Sequence, residues 1–237
     1  MRLTERLPRE TGRDYALRTI KDNIVRLELV PGSMVSENEL ASEMGLSRTP
    51  VREALIELSK AKIVEIYPQR GSSISLIDYN LVEEARFMRQ VLECAVVEQC
   101  CGKTNAVELQ KLQENLRLQQ FYQQDGQTYT EMLMELDNEF HALLFEMAGK
   151  PQVYKLMENI SLHAERVRSL ALSKVKGEKI VEDHALLLQG IMDNEPDHVV
   201  ALMKKHLNRY DIDAKAIREA YPTYFKKNRK PPPLCCP

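Results

Sequence analysis

The chain has 237 residues, 43% of them apolar, 29% charged and 6% aromatic, with no tryptophan and a formal net charge of −2. That balance suits one or two globular domains with a real core, while nine glycines and few aromatics favour helices over sheets. It also excludes nucleic-acid binding by bulk attraction: residues 1–77 carry 12 Lys and Arg against 11 Asp and Glu, so any such binding depends on a few well-placed cations.

No apolar run approaches the length of a bilayer span, and no signal pattern opens the sequence. The five cysteines, Cys94, Cys100, Cys101, Cys235 and Cys236, lack metal-site spacing, so reduced thiols in a bacterial cytoplasm are expected. In chain order, residues 1–13 are charged and irregular and read as a flexible arm. Leu17, Ile20, Ile24 and Leu27 mark a first helix that ends near Leu29-Val30-Pro31-Gly32. Ser36 is a good N-cap for the next helix, and Glu39 three residues later completes a capping box. Leu40, Ala41 and Met44 form its apolar side, and Gly45 is placed to end it in a left-handed conformation.

Leu46 and Ser47 make a turn; Thr49 can cap the following helix, and Pro50 fits its first position. Val51, Ala54, Leu55 and Leu58 recur on one side of that helix, while Arg48 and Arg52 flank its start and can point away from them. Val64 and Ile66 alternate before Pro68-Gln69-Arg70-Gly71, and Ile74 and Leu76 alternate after it, which predicts a two-stranded hairpin. Helix, turn, helix and wing compose a DNA-reading unit over residues 14–77.

Asp78-Tyr79-Asn80 is a linker, and residues 78–222 then read as an all-α six-helix bundle. The predicted stripes are Leu81, Ala85, Met88, Leu92 and Ala95; Val107, Leu109, Leu112 and Leu116; then Tyr129, Leu133, Leu136, Phe140, Leu143 and Met147. Val153, Leu156, Ile160, Ala164, Val167 and Ala171 mark the fourth helix, Ile180, His184, Leu187 and Ile191 the fifth, and Val199, Leu202, His206 and Tyr210 the sixth. The glutamines of the second helix, over about 104–125, read as a solvated face. Residues 223–237, basic and proline-rich, are expected to be disordered.

His184 and His206 lie on apolar stripes, where a histidine is expensive. His141 borders the inward face beside Phe140, with Asp137 four residues earlier on the same side. An Asp and a His at that spacing can aim two ligand atoms at one point, and two more imidazoles complete a set suited to a divalent metal such as Zn²⁺ or Ni²⁺. Singly, each histidine is as well explained as a hydrogen-bonded core residue, and Asp137 as the partner of an arginine. Four buried polar groups in one bundle nevertheless need mutual partners. His163 and His198 do not share this placement and read as surface or structural.

Two resemblances sharpen these expectations. The run LSRTPVREAL resembles the recognition helix of the GntR family of bacterial transcription regulators, and QRGSSIS resembles that family's wing. The resemblance implies that Arg48, Thr49 and Arg52 meet operator DNA in the major groove and that Gly71 approaches the minor groove; Asn38, Ser47 and Arg70 complete the candidate DNA-binding set. The family usually has Gly where this chain has Lys62, which must accept a strained backbone or shift the corner.

The segments LDNEFHALLFEMAGKPQV, EDHALLLQGIMDNEP and MKKHL resemble the FCD domain of the FadR subfamily. That implies metal binding by Asp137, His141, His184 and His206, with the metal helping to hold a small carboxylate effector. It also makes Arg89, in Arg89-Gln90-Val91-Leu92-Glu93, the candidate partner of the effector carboxylate, the alternative being an ordinary salt bridge. The implied molecule is a homodimeric regulator of a pseudo-palindromic operator, a repressor rather than an enzyme. A purely structural or sensory metal is the alternative, and a helical metalloenzyme a more distant one.

Overall fold

The computed structural model describes residues 1–102, 106–124, 130–171, 177–208 and 214–227, and divides into two compact units, Met1–Asn80 with Lys215–Pro237, and Leu81–Ala214. In the first unit, helix α1 (Gly12–Val25) is capped by Thr11, whose side chain accepts from the Asp14 amide, and buries Ala16, Ile20 and Ile24. Residues 2–10, read as an arm, lie along α1: Asn23 exchanges two hydrogen bonds with the Arg2 backbone, and Arg18 pairs with Glu10 at 2.8 Å.

A two-residue strand β1 (Met34–Val35) precedes α2 (Glu37–Glu43) and α3 (Arg48–Lys60), followed by β2 (Val64–Tyr67) and β3 (Gly71–Ile74). The sheet is antiparallel in the order β1-β3-β2, so the expected hairpin gains a third strand. Two residues are too few to show alternation, which hid β1 from the sequence. Ser36 is the N-cap of α2 but makes no side-chain capping bond, so the predicted capping box does not form. The cap of α3 is Ser47 rather than Thr49. Pro50 still lies in the first turn, where an N–H has no intrahelical partner to lose.

Gly45 ends α2 at φ +64°, with the Leu46 amide donating to the Ala41 carbonyl. Lys62 sits at φ +62° as α3 closes, so the lysine takes the left-handed backbone. The chain returns to this unit through α10 (Ala214–Ala220) and a parallel bridge between Ile77 and Phe225.

Helix α4 (Tyr79–Cys100) takes in Tyr79 and Asn80 of the expected linker and continues into the second unit, which contains α5 (Ala106–Gln124), α6 (Thr130–Met147), α7 (Pro151–Ala171), α8 (Gly177–Met192) and α9 (Pro196–Asn208). Its core runs through Val97, Cys100, Leu112, Phe140, Leu144, Leu187 and Ile191. α8 and α9 approach closely at Gly190, where a Cβ would meet Val199 Cγ1 at 2.6 Å. No helix among the described residues is long and apolar enough to cross a membrane.

Most predicted stripe residues face inward, but Val107, Leu156 and Ile160 are exposed at 65%, 67% and 53%, and Ala95 is exposed too. The solvated glutamine face also has an exception, because Gln119 is buried. Tyr129, Tyr210, Cys235 and Cys236 lie outside the described residues, as do residues 228–237 of the tail.

Candidate functional site

Asp137 and His141 share one side of α6, His184 comes from the middle of α8 and His206 from the last turn of α9; all four are 2% exposed or less. Their ligand atoms lie within 4.8 Å of one another. His206 Nε2 is 3.1 Å from His141 Nε2 and 3.3 Å from His184 Nε2, while Asp137 Oδ1 lies 3.5 Å from His184 Nε2 and 3.9 Å from each of the other two. Ligand bonds of ~2.0–2.1 Å in a tetrahedral set put ligand atoms roughly 3.3 Å apart, close to these separations.

The opposite nitrogen of each ring faces an acceptor. His141 Nδ1 is 2.5 Å from Glu93 Oε2, His184 Nδ1 is 2.8 Å from Gln119 Oε1, and His206 Nδ1 is 3.6 Å from Asp183 Oδ2. An acceptor at Nδ1 places the ring proton there and leaves the Nε2 lone pair for the common centre. With the rings in that tautomer, three lone pairs and a carboxylate oxygen converge, an arrangement a cation completes.

The second oxygen of Asp137 accepts from Arg168 Nη2, the arginine partner that the sequence allowed for it, and its first oxygen faces the three imidazoles. Arg168 Nη1 also donates to Asn138 Oδ1 at 2.7 Å and Glu165 Oε1 at 2.8 Å. Arg89, buried on α4, donates through Nε to Glu93 Oε1 at 2.6 Å, and its Nη1 lies 3.9 Å from Glu165. Among the described contacts, the guanidinium groups of Arg89 and Arg168 thus meet the carboxylates Glu93, Asp137 and Glu165.

Burial opposes ionisation of Asp137, yet Arg168 beside it, with the imidazoles, holds its carboxyl well below the usual range. Burial likewise opposes ionisation of Glu93, but Arg89 and His141 bring it down to about 2. Burial, then His206, holds His184 well below 6.5; burial lowers His206 against the opposing effect of Asp183.

A histidine with a depressed folded value takes its proton more readily in the unfolded chain. Stability present above the unfolded value is therefore lost as pH falls through the folded one. The metal-free protein is expected to melt at progressively lower temperature below about pH 6.5. The double variant His184→Gln, His206→Gln should flatten that decline above the carboxylate range; an unchanged profile would remove these imidazoles as its cause.

In the first unit, Asn38, Ser47, Arg48, Thr49, Arg52, Arg70 and Gly71 are all exposed. Ser47, Arg48, Thr49 and Arg52 cluster around the start of α3, Asn38 lies on α2, and Arg70 and Gly71 belong to the turn and start of the β2–β3 hairpin. Arg48 meets Glu37 at 3.3 Å, with 67% of its side chain exposed. An ion pair that open is worth little and leaves the guanidinium available for exchange.

The FCD domain matches residues 84–209, and the description "Bacterial regulatory proteins, gntR family" matches residues 15–74. This chain belongs to the GntR family. An HTH-type transcriptional repressor RspR of Escherichia coli (strain K12) is 28% identical over 225 residues, covering 94% of this chain and 98% of that one. An HTH-type transcriptional regulator in unstable DNA locus of Streptomyces ambofaciens is 31% identical over 218 residues, covering 92% and 90%. The solved structure of E. coli McbR/YncC shares the fold at TM-score 0.74 and 18% identity, over 89% of this chain and 99% of that one.

The GntR-family protein is accordingly a transcription regulator with a helix-turn-helix DNA-binding domain and an FCD domain, not an enzyme. Its buried Asp and three His form a group able to hold a metal ion. The outer partners Gln119 and Asp183 escaped the sequence reading, while Arg166 and Arg168 are both candidates to line the cavity with nothing in the sequence to choose between them. Leu112, Asn115, Leu116 and Gln119 recur at intervals of three, one and three, the spacing of an inward stripe, and that signal was available for Gln119.

Proposed function

We propose that this regulator is a homodimeric repressor of a pseudo-palindromic operator in the bacterial cytoplasm, with its DNA affinity controlled by a small carboxylate bound at a divalent metal. Residues 14–77 would read DNA through Arg48, Thr49 and Arg52, with Asn38, Ser47, Arg70 and Gly71 around them, and residues 78–222 would dimerise and hold the effector. The exposed apolar pairs Phe87 and Val91 on α4, and Leu156 and Ile160 on α7, are surfaces of the kind a dimer covers. The repressor sense follows the printed name of the E. coli relative.

The observation that carries the effector reading is the convergence of Asp137, His141, His184 and His206 on one point, with the Nδ1 of each ring facing an acceptor. These four would hold zinc or, alternatively, nickel, and the bound ion would supply a Lewis-acidic position for one carboxylate oxygen. Arg89 already gives its Nε to Glu93, so an effector carboxylate would meet its terminal nitrogens. A second reading, a purely structural or sensory metal, draws support from the near-complete burial of all four ligands, since structural sites are closed.

A thermal-shift screen of zinc- and nickel-loaded protein against small carboxylic acids separates the two. A ligand at a hundredfold excess over its Kd adds about 2.7 kcal/mol to the folded state. Stabilisation by one acid, lost after chelation, supports effector control. A melt that responds to chelation and to no acid supports the structural metal.

A further inference from the structure

The inward faces of α5, α6 and α8 are tied by a chain of side-chain amides that ends on a metal-ligand candidate. Asn115 Nδ2 lies 3.1 Å from the Leu136 carbonyl oxygen and 2.8 Å from Glu139 Oε2. Asn115 Oδ1 accepts from Gln119 Nε2 at 2.6 Å, and Gln119 Oε1 faces His184 Nδ1 at 2.8 Å. Asn115, Gln119 and His184 are 3%, 1% and 0% exposed, so no bulk water competes for these groups.

The direction of the chain is forced from its far end. A backbone carbonyl can only accept, and so can an ionised carboxylate. The group that Asn115 turns to Leu136 and Glu139 must therefore be its NH₂, which leaves its oxygen for Gln119. Gln119 must answer that oxygen with its own NH₂, which leaves its carbonyl for His184. His184 must then carry its proton on Nδ1, and its Nε2 lone pair faces the centre shared with Asp137, His141 and His206.

We propose that Gln119, anchored by Asn115, is a positioning residue that selects the metal-binding tautomer of His184. The other two rings have carboxylates in this role, Glu93 and Asp183, which only accept. An amide can also donate, so at His184 the orientation has to be imposed, and Asn115 with the Leu136 carbonyl imposes it. In the opposite orientation Gln119 would donate to Nδ1, move the proton to Nε2 and block coordination there. This inference rests on the metal reading for its consequence, but the tautomer itself is a property of the metal-free chain.

The test uses the full chain with Zn²⁺ alone as probe, together with ¹⁵N NMR of the His184 ring in metal-free protein. Wild type should show His184 protonated on Nδ1. Gln119→Met, which keeps the length and removes both polar ends, should mix the tautomers and weaken zinc binding by about 10- to 100-fold, the usual effect of losing an outer partner. Gln119→Glu gives up the bond to Asn115 Oδ1 but keeps an acceptor at Nδ1, as Glu93 does for His141, and should hold the tautomer where Gln119→Met does not. Asn115→Leu leaves Gln119 in place without its anchor and should also mix the tautomers.

A wild-type His184 protonated on Nε2 would overturn the proposal. So would a folded Gln119→Met variant with unchanged tautomer and zinc affinity. If Gln119→Met does not fold, the wild-type tautomer and Asn115→Leu still decide the matter. Failure of wild type to bind zinc or nickel would instead sink the metal reading, leaving the tautomer result to stand by itself.

Discussion

Asp137→Ala is expected to cost about 3–5 kcal/mol of unfolding free energy in the metal-free protein, the usual penalty for stripping one partner from a buried ion pair. Asp137 is 2% exposed and Arg168 4%, so water cannot replace the lost carboxylate at Arg168 Nη2. Glu165 and Asn138 still hold Nη1, which places the loss at one end of the guanidinium rather than across it. The same change deletes one of four converging ligand atoms, so zinc affinity should collapse as well.

The two effects can be separated. Replacing both members, Asp137→Leu with Arg168→Met, removes the unmatched Nη2 end of the guanidinium and should recover part of the stability, Glu165 losing its partner in exchange, while leaving metal binding lost. Urea denaturation and zinc titration of these variants give both readouts. A single variant within about 1 kcal/mol of wild type would contradict the picture of Asp137 as the carboxylate on which Arg168 depends.

The second large effect is expected at the other unit. Arg52→Ala should weaken operator binding by about 2–6 kcal/mol in a two-fold complex, because one bidentate contact to a base pair is worth about 1–3 kcal/mol and each half-site loses one. Arg52 is exposed on the first turns of α3, so its truncation should leave the melting temperature nearly unchanged. The loss should also be concentrated at one base position of each half-site. Arg117→Ala, an exposed arginine of α5 paired with Glu114, provides the comparison and should leave operator affinity intact. A uniform loss across all sequences would assign Arg52 to the phosphate backbone, and equal losses in the two variants would contradict a DNA contact by Arg52.

The DNA-reading unit was legible because its punctuation is chemical. Gly45 takes the left-handed conformation predicted for it, and Val51, Ala54, Leu55 and Leu58 are buried on the side their spacing marks. The candidate metal ligands were legible for the converse reason, as polar residues on apolar stripes. What the spacing could not show is which of two adjoining helix faces is covered. Leu156 and Ile160 continue the stripe of Val153 and Ala164 yet stand in solvent. Gln119 lies among glutamines that face outward, and only the stripe with Leu112, Asn115 and Leu116 distinguishes it. Ser36 caps α2 as its position predicts but without the side-chain bond, since a hydroxyl at the right position does not compel it, and α3 starts two residues earlier than a cap at Thr49 would set, with Ser47 as its N-cap.

The most direct test is operator affinity measured on the full chain in three states, using a duplex selected by the protein from random DNA. The states are metal-loaded, metal-loaded with the acid that stabilises it best, and chelated with the same acid. Coupling between two sites is typically worth about 1–3 kcal/mol, so the acid should change the operator Kd of the loaded protein by about 5- to 150-fold. That change should vanish after chelation. An operator Kd identical in all three states would contradict control of DNA binding through Asp137, His141, His184 and His206.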